Sequence, residues 1–194
     1  MKIPEIVVSP YTGVELVRRR PGMYVGSLTD RALVSNLIGH ALQEIAFVPG
    51  LGVEEPILVT LCSDGSITIV RGGIDVSIEL AVAMFGDGWS HMRPVGLLPG
   101  GKGDYTNALS EWMRIEFIND GQRFVQVYVC GVAQPLYSES GPQGVCTLSV
   151  SFRLDPTIIP DLTLDVARIS AVMQKVSEER QRKIVLRDMR VATP

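Results

Sequence analysis

His40 and Glu44 stand four residues apart in an apolar-periodic stretch, a spacing that puts both side chains on one face of a helix. An imidazole beside a carboxylate can pass protons or supply half of a metal site. No third ligand accompanies them, so no metal is expected, and the plainer reading is a packed histidine with a solvated or capping glutamate. A second chemical possibility lies in Gly100, Gly101, Lys102 and Gly103, the end of a glycine-rich run from Gly86 that also holds Pro94 and Pro99. Backbone N–H groups of such a run can cradle phosphate, and Lys102 adds a positive charge, although Pro99 removes one donor. The plainer reading is a long, glycine-rich loop. Gly100-Gly101-Lys102 lacks the Gly-x-x-x-x-Gly-Lys-Ser/Thr pattern of a P-loop, and there is no Gly-x-Ser-x-Gly elbow or Cys-His arrangement.

The elements that must position these groups follow from periodicity. Tyr11 to Arg20 predicts a short helix stopped by Pro21, with Arg18 to Arg20 placed to stabilise its C-terminus. Asp30 is a cap for a longer helix over Ala32 to Phe47, where Leu33, Leu37 and Ala41 share one stripe and Val34, Ile38, Leu42 and Ile45 the next. Pro49-Gly50 ends it. Pro56 to Cys62 and Ser66 to Val70 read as a hairpin around Ser63-Asp64-Gly65, with Gly72-Gly73 breaking the second strand. Ile74 to Phe85 and Asp104 to Ser110 are predicted helices. Strands follow at Trp112 to Ile118, Phe124 to Cys130 and Val145 to Leu154, then a helix over Asp161 to Arg180 and a strand at Lys183 to Leu186. Helices grouped between strand pairs imply an α/β (α+β) two-layer sandwich, with helices on one face of a mixed, largely antiparallel sheet.

Composition bounds the function. At 194 residues, 46% of them hydrophobic, residues 1–194 are expected to form a single domain with a substantial core. A net charge of −3 without a basic block argues against direct nucleic-acid binding. Cys62, Cys130 and Cys146 are odd in number and widely spaced, which suits free thiols in a reducing compartment. The N-terminus lacks an apolar signal core, and no stretch has the roughly 20 apolar residues of a membrane helix, so a cytoplasmic location is expected.

Several segments carry a resemblance. Val17-Arg18-Arg19-Arg20-Pro21-Gly22-Met23-Tyr24-Val25-Gly26-Ser27 resembles the start of the ATPase domain of the DNA gyrase B and topoisomerase IV B subunits, members of the GHKL ATPases. Asn107-Ala108-Leu109-Ser110 is similar to the segment after that family's ATP lid. Gly131-Val132-Ala133-Gln134, preceded by Gln126 and Tyr128, is similar to its Gly-Val-Pro-Gln. Gly144 through Phe152 with Asp155 resembles its Gly-Thr strand ending in Phe-x-Pro-Asp, and Ile184 to Asp188 its closing strand. The resemblance covers nearly the whole chain and implies a Bergerat-type fold, without the family's transducer domain or DNA-cleaving portion.

It also implies where a nucleotide would sit, and there the chain departs. Counting without gaps from Pro21 puts His40 at or near the position of the family's water-activating Glu, but the family's Leu-His-His-Leu-Val-x-Glu-Val is matched better by Ile38 to Ile45, which makes Glu44 a remnant of that base. Val48 then stands where an Asn holds magnesium, and it cannot ligate a hard cation. The family's Asp-x-Gly-x-Gly, whose carboxylate accepts from adenine and whose glycines let the base approach, corresponds to Val70, Arg71, Gly72, Gly73 and Ile74, with Val70 or Ile69 in place of the Asp. The lid's Gly-x-x-Gly-x-Gly is altered to Gly96 through Gly103, with Lys102 in place of the third glycine. The resulting expectation is a catalytically degenerate domain without cofactor, acting as a binding or regulatory protein through a protein partner or self-association. The alternative is an atypical ATP-binding domain or weak ATPase, using ATP and magnesium, in which Glu44 remains the base and His40 or Lys102 replaces a lost function.

Overall fold

A computed structural model describes residues 13–48, 55–74, 103–119 and 121–190. The predicted helix over Ile74 to Phe85 and the loop from Gly86 to Gly103 lie outside these residues, apart from Ile74 and Gly103. The elements run α1 (Gly13–Arg19), α2 (Gly22–Val25), α3 (Leu33–Phe47), β1 (Ile57–Leu61), β2 (Ile67–Gly72), α4 (Gly103–Ala108), β3 (Ser110–Asn119), β4 (Gln122–Val129), β5 (Val132–Ala133), β6 (Tyr137–Ser140), β7 (Cys146–Leu154), α5 (Val166–Arg180) and β8 (Ile184–Asp188).

The strands form one mixed sheet in the order β5-β4-β3-β7-β2-β1-β8, with β6 also paired to β4. Among the described residues only β1 and β8 run parallel; the other pairings are antiparallel. Alternation along the strands sorts the two faces. Ile57, Val59 and Leu61, Ile67 and Ile69, Met113, Ile115 and Phe117, and Leu148, Val150 and Phe152 are buried under the helices. Their neighbours Leu58, Thr68, Arg114, Glu116 and Ser151 line the opposite, more open face. Helix α3 is the central cover, with Leu37, Ile38, Ala41, Leu42 and Ile45 all fully buried, and α5 packs beside it through Ile169, Met173 and Val176. This is the expected two-layer sandwich.

Ser110 starts β3 instead of ending a helix, and α3 has Ala32 and not Asp30 at its N-cap; three further local expectations change. The last helix starts at Val166, not Asp161, because two aspartates spend their side chains on local backbone. Asp161 Oδ1 accepts from Thr163 N at 2.9 Å, and Asp165 Oδ1 accepts from Ala167 N at 3.0 Å and Arg168 N at 3.2 Å. Such bonds compete with helix and favour its N-cap, so Asp165 caps α5 and Leu162 packs on the core from the preceding loop. Replacing Asp165 with Ala is expected to cost about 1 kcal/mol in urea unfolding, whereas Asn at this position should cost much less.

Cys130 leaves the strand in which it was predicted. With φ of 51° at Cys130 and 78° at Gly131, the two residues form a tight turn between β4 and β5, the geometry that suits strand twist in a two-residue hairpin. Gly131 has a further constraint, since a Cβ there would lie 2.5 Å from Val14 Cγ1 and 3.2 Å from Ala108 Cα.

The third change concerns Arg18, placed by the sequence at the end of its own helix. Its Nη1 instead donates to the carbonyls of Ala108 at 2.7 Å and Ser110 at 3.2 Å, and its Nη2 to the Asp155 carboxylate. Asp155 also accepts from the amide and hydroxyl of Thr157, and its own N–H donates to Leu109 O. Ser110 Oγ donates to Thr106 O, and Thr106 Oγ1 to Leu37 O. One knot therefore joins α1, α4, the start of β3, the end of β7 and α3.

Candidate functional site

The region of interest lies between the last turn of α3 and the end of β2. His40 and Glu44 sit one turn apart on α3, His40 partly and Glu44 largely buried. The helix ends at Phe47, and Val48 is extended at φ −53°, ψ 132°. The residue four beyond Glu44 is therefore not on the helix face that the spacing implied. Val48 turns into the core and is 3% exposed.

Strand β2 settles which residue faces α3. Ile67, Ile69 and Arg71 are its buried positions. Val70 lies on the opposite face, paired with Leu58 and Ser149. Of the two positions considered for a base-recognising carboxylate, the one toward the helices is thus Ile69, which is fully buried and cannot accept a hydrogen bond.

Arg71 dominates the local electrostatics. It is 2% exposed, and its Nη1 donates to Ile45 O at 2.6 Å and Ala46 O at 3.2 Å. These carbonyls belong to the last turn of α3, where the helix dipole is negative; Ile45 O also accepts from Val48 N at 3.3 Å. Arg71 thus acts as a cation on the C-terminal end of that helix. Among the described residues no carboxylate forms an ion pair with it. Burial, aided by the charge of Arg182, pulls its pKa down to about 10, so the guanidinium stays charged at neutral pH. Its Nη2 has no hydrogen-bond partner among the described residues. The resemblance counted Arg71 only among the residues of an altered glycine motif; its reach to α3 could not be read from spacing.

Gly72 closes β2, Gly73 has a φ of 61°, and Ile74 is 1% exposed. Glu55 lies against Gly72 so closely that a Cβ there would meet Glu55 Oε2 at 1.8 Å. Gly103 begins α4, while Gly100, Gly101 and Lys102 lie outside the described residues. Asn107 is fully buried, and neither end of its amide has a hydrogen-bond partner among the described residues. Among the described residues no group of three or more His, Cys, Asp or Glu side chains is arranged to hold a metal ion.

No family model matches the chain. Among individual proteins, it is 31% identical to the type 2 topoisomerase B subunit of Aquifex aeolicus over 78% of its own length and 21% of that protein's. It is 28% identical to the DNA topoisomerase 4 B subunit of Staphylococcus epidermidis over 92% of the chain and 29% of the relative. It is likewise 28% identical to the DNA gyrase B subunit of Thermus thermophilus, over 85% of the chain and 28% of the relative. The chain thus spans less than a third of the length of these relatives.

Proposed function

As a GHKL-type domain related to the B subunits of type II topoisomerases, this chain is, we propose, a non-hydrolysing binding or regulatory protein that has kept the scaffold and lost the nucleotide chemistry. The observation that carries this reading is the packing around Arg71. Ile45 and Ile69 are fully buried, and Ile74, Arg71 and Val48 are 1%, 2% and 3% exposed. Val48 stands where the resemblance would put the magnesium ligand, and Ile69 or Val70 where it would put the carboxylate that recognises the base. A hard cation needs oxygen ligands, which Val48 does not have. An adenine amine buried without its acceptor would lose about 1–3 kcal/mol. Glu44, with no metal-holding side chain four residues on, has little to activate.

The function of such a domain is then association, with a protein partner or a second copy of itself. Direct nucleic-acid binding is not part of the proposal, in keeping with the net charge of −3. Among the described residues no helix is long and apolar enough to cross a membrane, and we assign the protein to the cytoplasm.

Calorimetric titration of the chain with ATP and with a nonhydrolysable analogue, each with magnesium, tests the proposal. No heat of binding is expected up to millimolar nucleotide. Micromolar binding would sink it and favour the alternative of an atypical ATP-binding domain, in which Lys102→Ala should then abolish the signal.

A further inference from the structure

We propose that Arg71 is a built-in plug, its side chain filling the slot between β2 and the last turn of α3 into which a flat base would have to enter, and its guanidinium serving as the cation that ends the helix. The inference rests on the reading of this region as the relic of a nucleotide site. Arg71 is the single charged side chain among the inward-facing residues of β2, between apolar layers where arginine is seldom found without a reason. The reason here is the helix end. Two carbonyls of α3 take one nitrogen of the guanidinium, and among the described residues no carboxylate pairs with it, so backbone dipoles are what hold this buried charge. A lysine at the same place would offer a rotating point charge in place of a planar fork.

The slot is therefore shut by a side chain and not by the backbone. Shortening that side chain leaves a space on the buried face of β2 that also carries Ile69, with the carbonyl oxygens of Ile45 and Ala46 at its end. Its natural refill is a small alkylguanidinium ion, which restores both the volume and the donors. A nucleoside is a poorer fit, because it would need the same space while leaving those carbonyls without a cation.

The test is thermal unfolding of wild type, Arg71→Ala and Arg71→Met with methylguanidinium, with methylammonium as control. Arg71→Ala should be less stable than wild type. Methylguanidinium should raise its Tm by about 3–6 °C at ten times the dissociation constant, with no such rise for wild type or for Arg71→Met, whose thioether chain still fills the slot. Methylammonium should do less. If Arg71→Ala does not fold unaided, refolding it from urea into methylguanidinium should recover the native circular dichroism. A variant that responds no more than wild type, or that is not rescued on refolding, overturns the plug. With ATP silent on wild type, that failure removes the plug alone; micromolar ATP binding by wild type removes the non-hydrolysing reading and with it the closure of the slot.

Discussion

Replacing Arg18 with alanine should lower stability by about 3 kcal/mol, the low end of what breaking a buried ion pair costs when one charge is left behind. The low end applies because the Arg18 side chain is 20% exposed, while that of Asp155 is 7% exposed. Removing the guanidinium also strips a donor from the carbonyls of Ala108 and Ser110, which hold the end of α4 against the start of β3. At this chain length the loss corresponds to roughly 6–12 °C in Tm. Urea unfolding of wild type, Arg18→Ala, Asp155→Asn and the double variant should give a coupling energy of at least about 1 kcal/mol. Simple additivity would mean that the two side chains are independent and that the knot is not a unit.

The same pair fixes an acid response. Burial raises the pKa of Asp155, but the hydroxyl and amide of Thr157 and the guanidinium of Arg18 outweigh it and hold the carboxyl below its ordinary value of 3.8. A carboxylate with a depressed folded-state pKa contributes stability that is fully present above its unfolded value and is lost as the pH falls through the folded one. The penalty of Arg18→Ala should therefore be constant near neutrality and shrink below about pH 4.

The second large effect is expected at Gly39, where α3 and α5 approach. A Cβ built there lies 2.4 Å from Val172 Cγ1, closer than two such carbons can pack. Alanine in a helix interior would on its own gain about 1 kcal/mol over glycine. Overpacking works against that gain by about 1–3 kcal/mol, because Val172 is branched at Cβ and cannot swing aside as a long side chain would. Gly39→Ala should thus be destabilising by about 1 kcal/mol net, and Gly39→Leu by clearly more. Adding Val172→Ala should restore Gly39→Ala to wild-type stability, since it removes the clashing methyl and leaves the helix gain in place. A Gly39→Ala variant more stable than wild type in urea would show that α3 and α5 can separate freely.

The knot around Arg18 bears on how the family likeness coexists with an altered site. Segments that carry the resemblance, around Arg18, Asn107 to Ser110, and Asp155, converge on hydrogen bonds that set α1, α4 and the sheet relative to one another. They are scaffold. Val48, Ile69 and Arg71, where the resemblance breaks, are all buried, Arg71 against the last-turn carbonyls of α3. A chain can keep the first group for folding while the second changes.

Much of the architecture was legible before any coordinates. The double apolar stripe of α3, the alternation in β1, β2, β3 and β7, and the grouping of helices between strand pairs depend on residue type at short spacing, and these required the sandwich. The caps were harder: Asp161 and Asp165 look alike in a periodic run, and only local backbone bonding separates the loop from the helix. The order of strands, the parallel pairing of β1 with β8, and the contact of Arg18 with Asp155 join residues far apart in the chain, so no local pattern encodes them. By itself, the sequence determined that residues 48, 69 and 70 are valine, isoleucine and valine, side chains with no oxygen to offer wherever they lie. Only the tertiary structure decided that Ile69 and not Val70 faces the helices, that Val48 has left the helix, and that Arg71 reaches the carbonyls of α3, since strand phase, helix termination and the path of a long side chain are set by what packs against them.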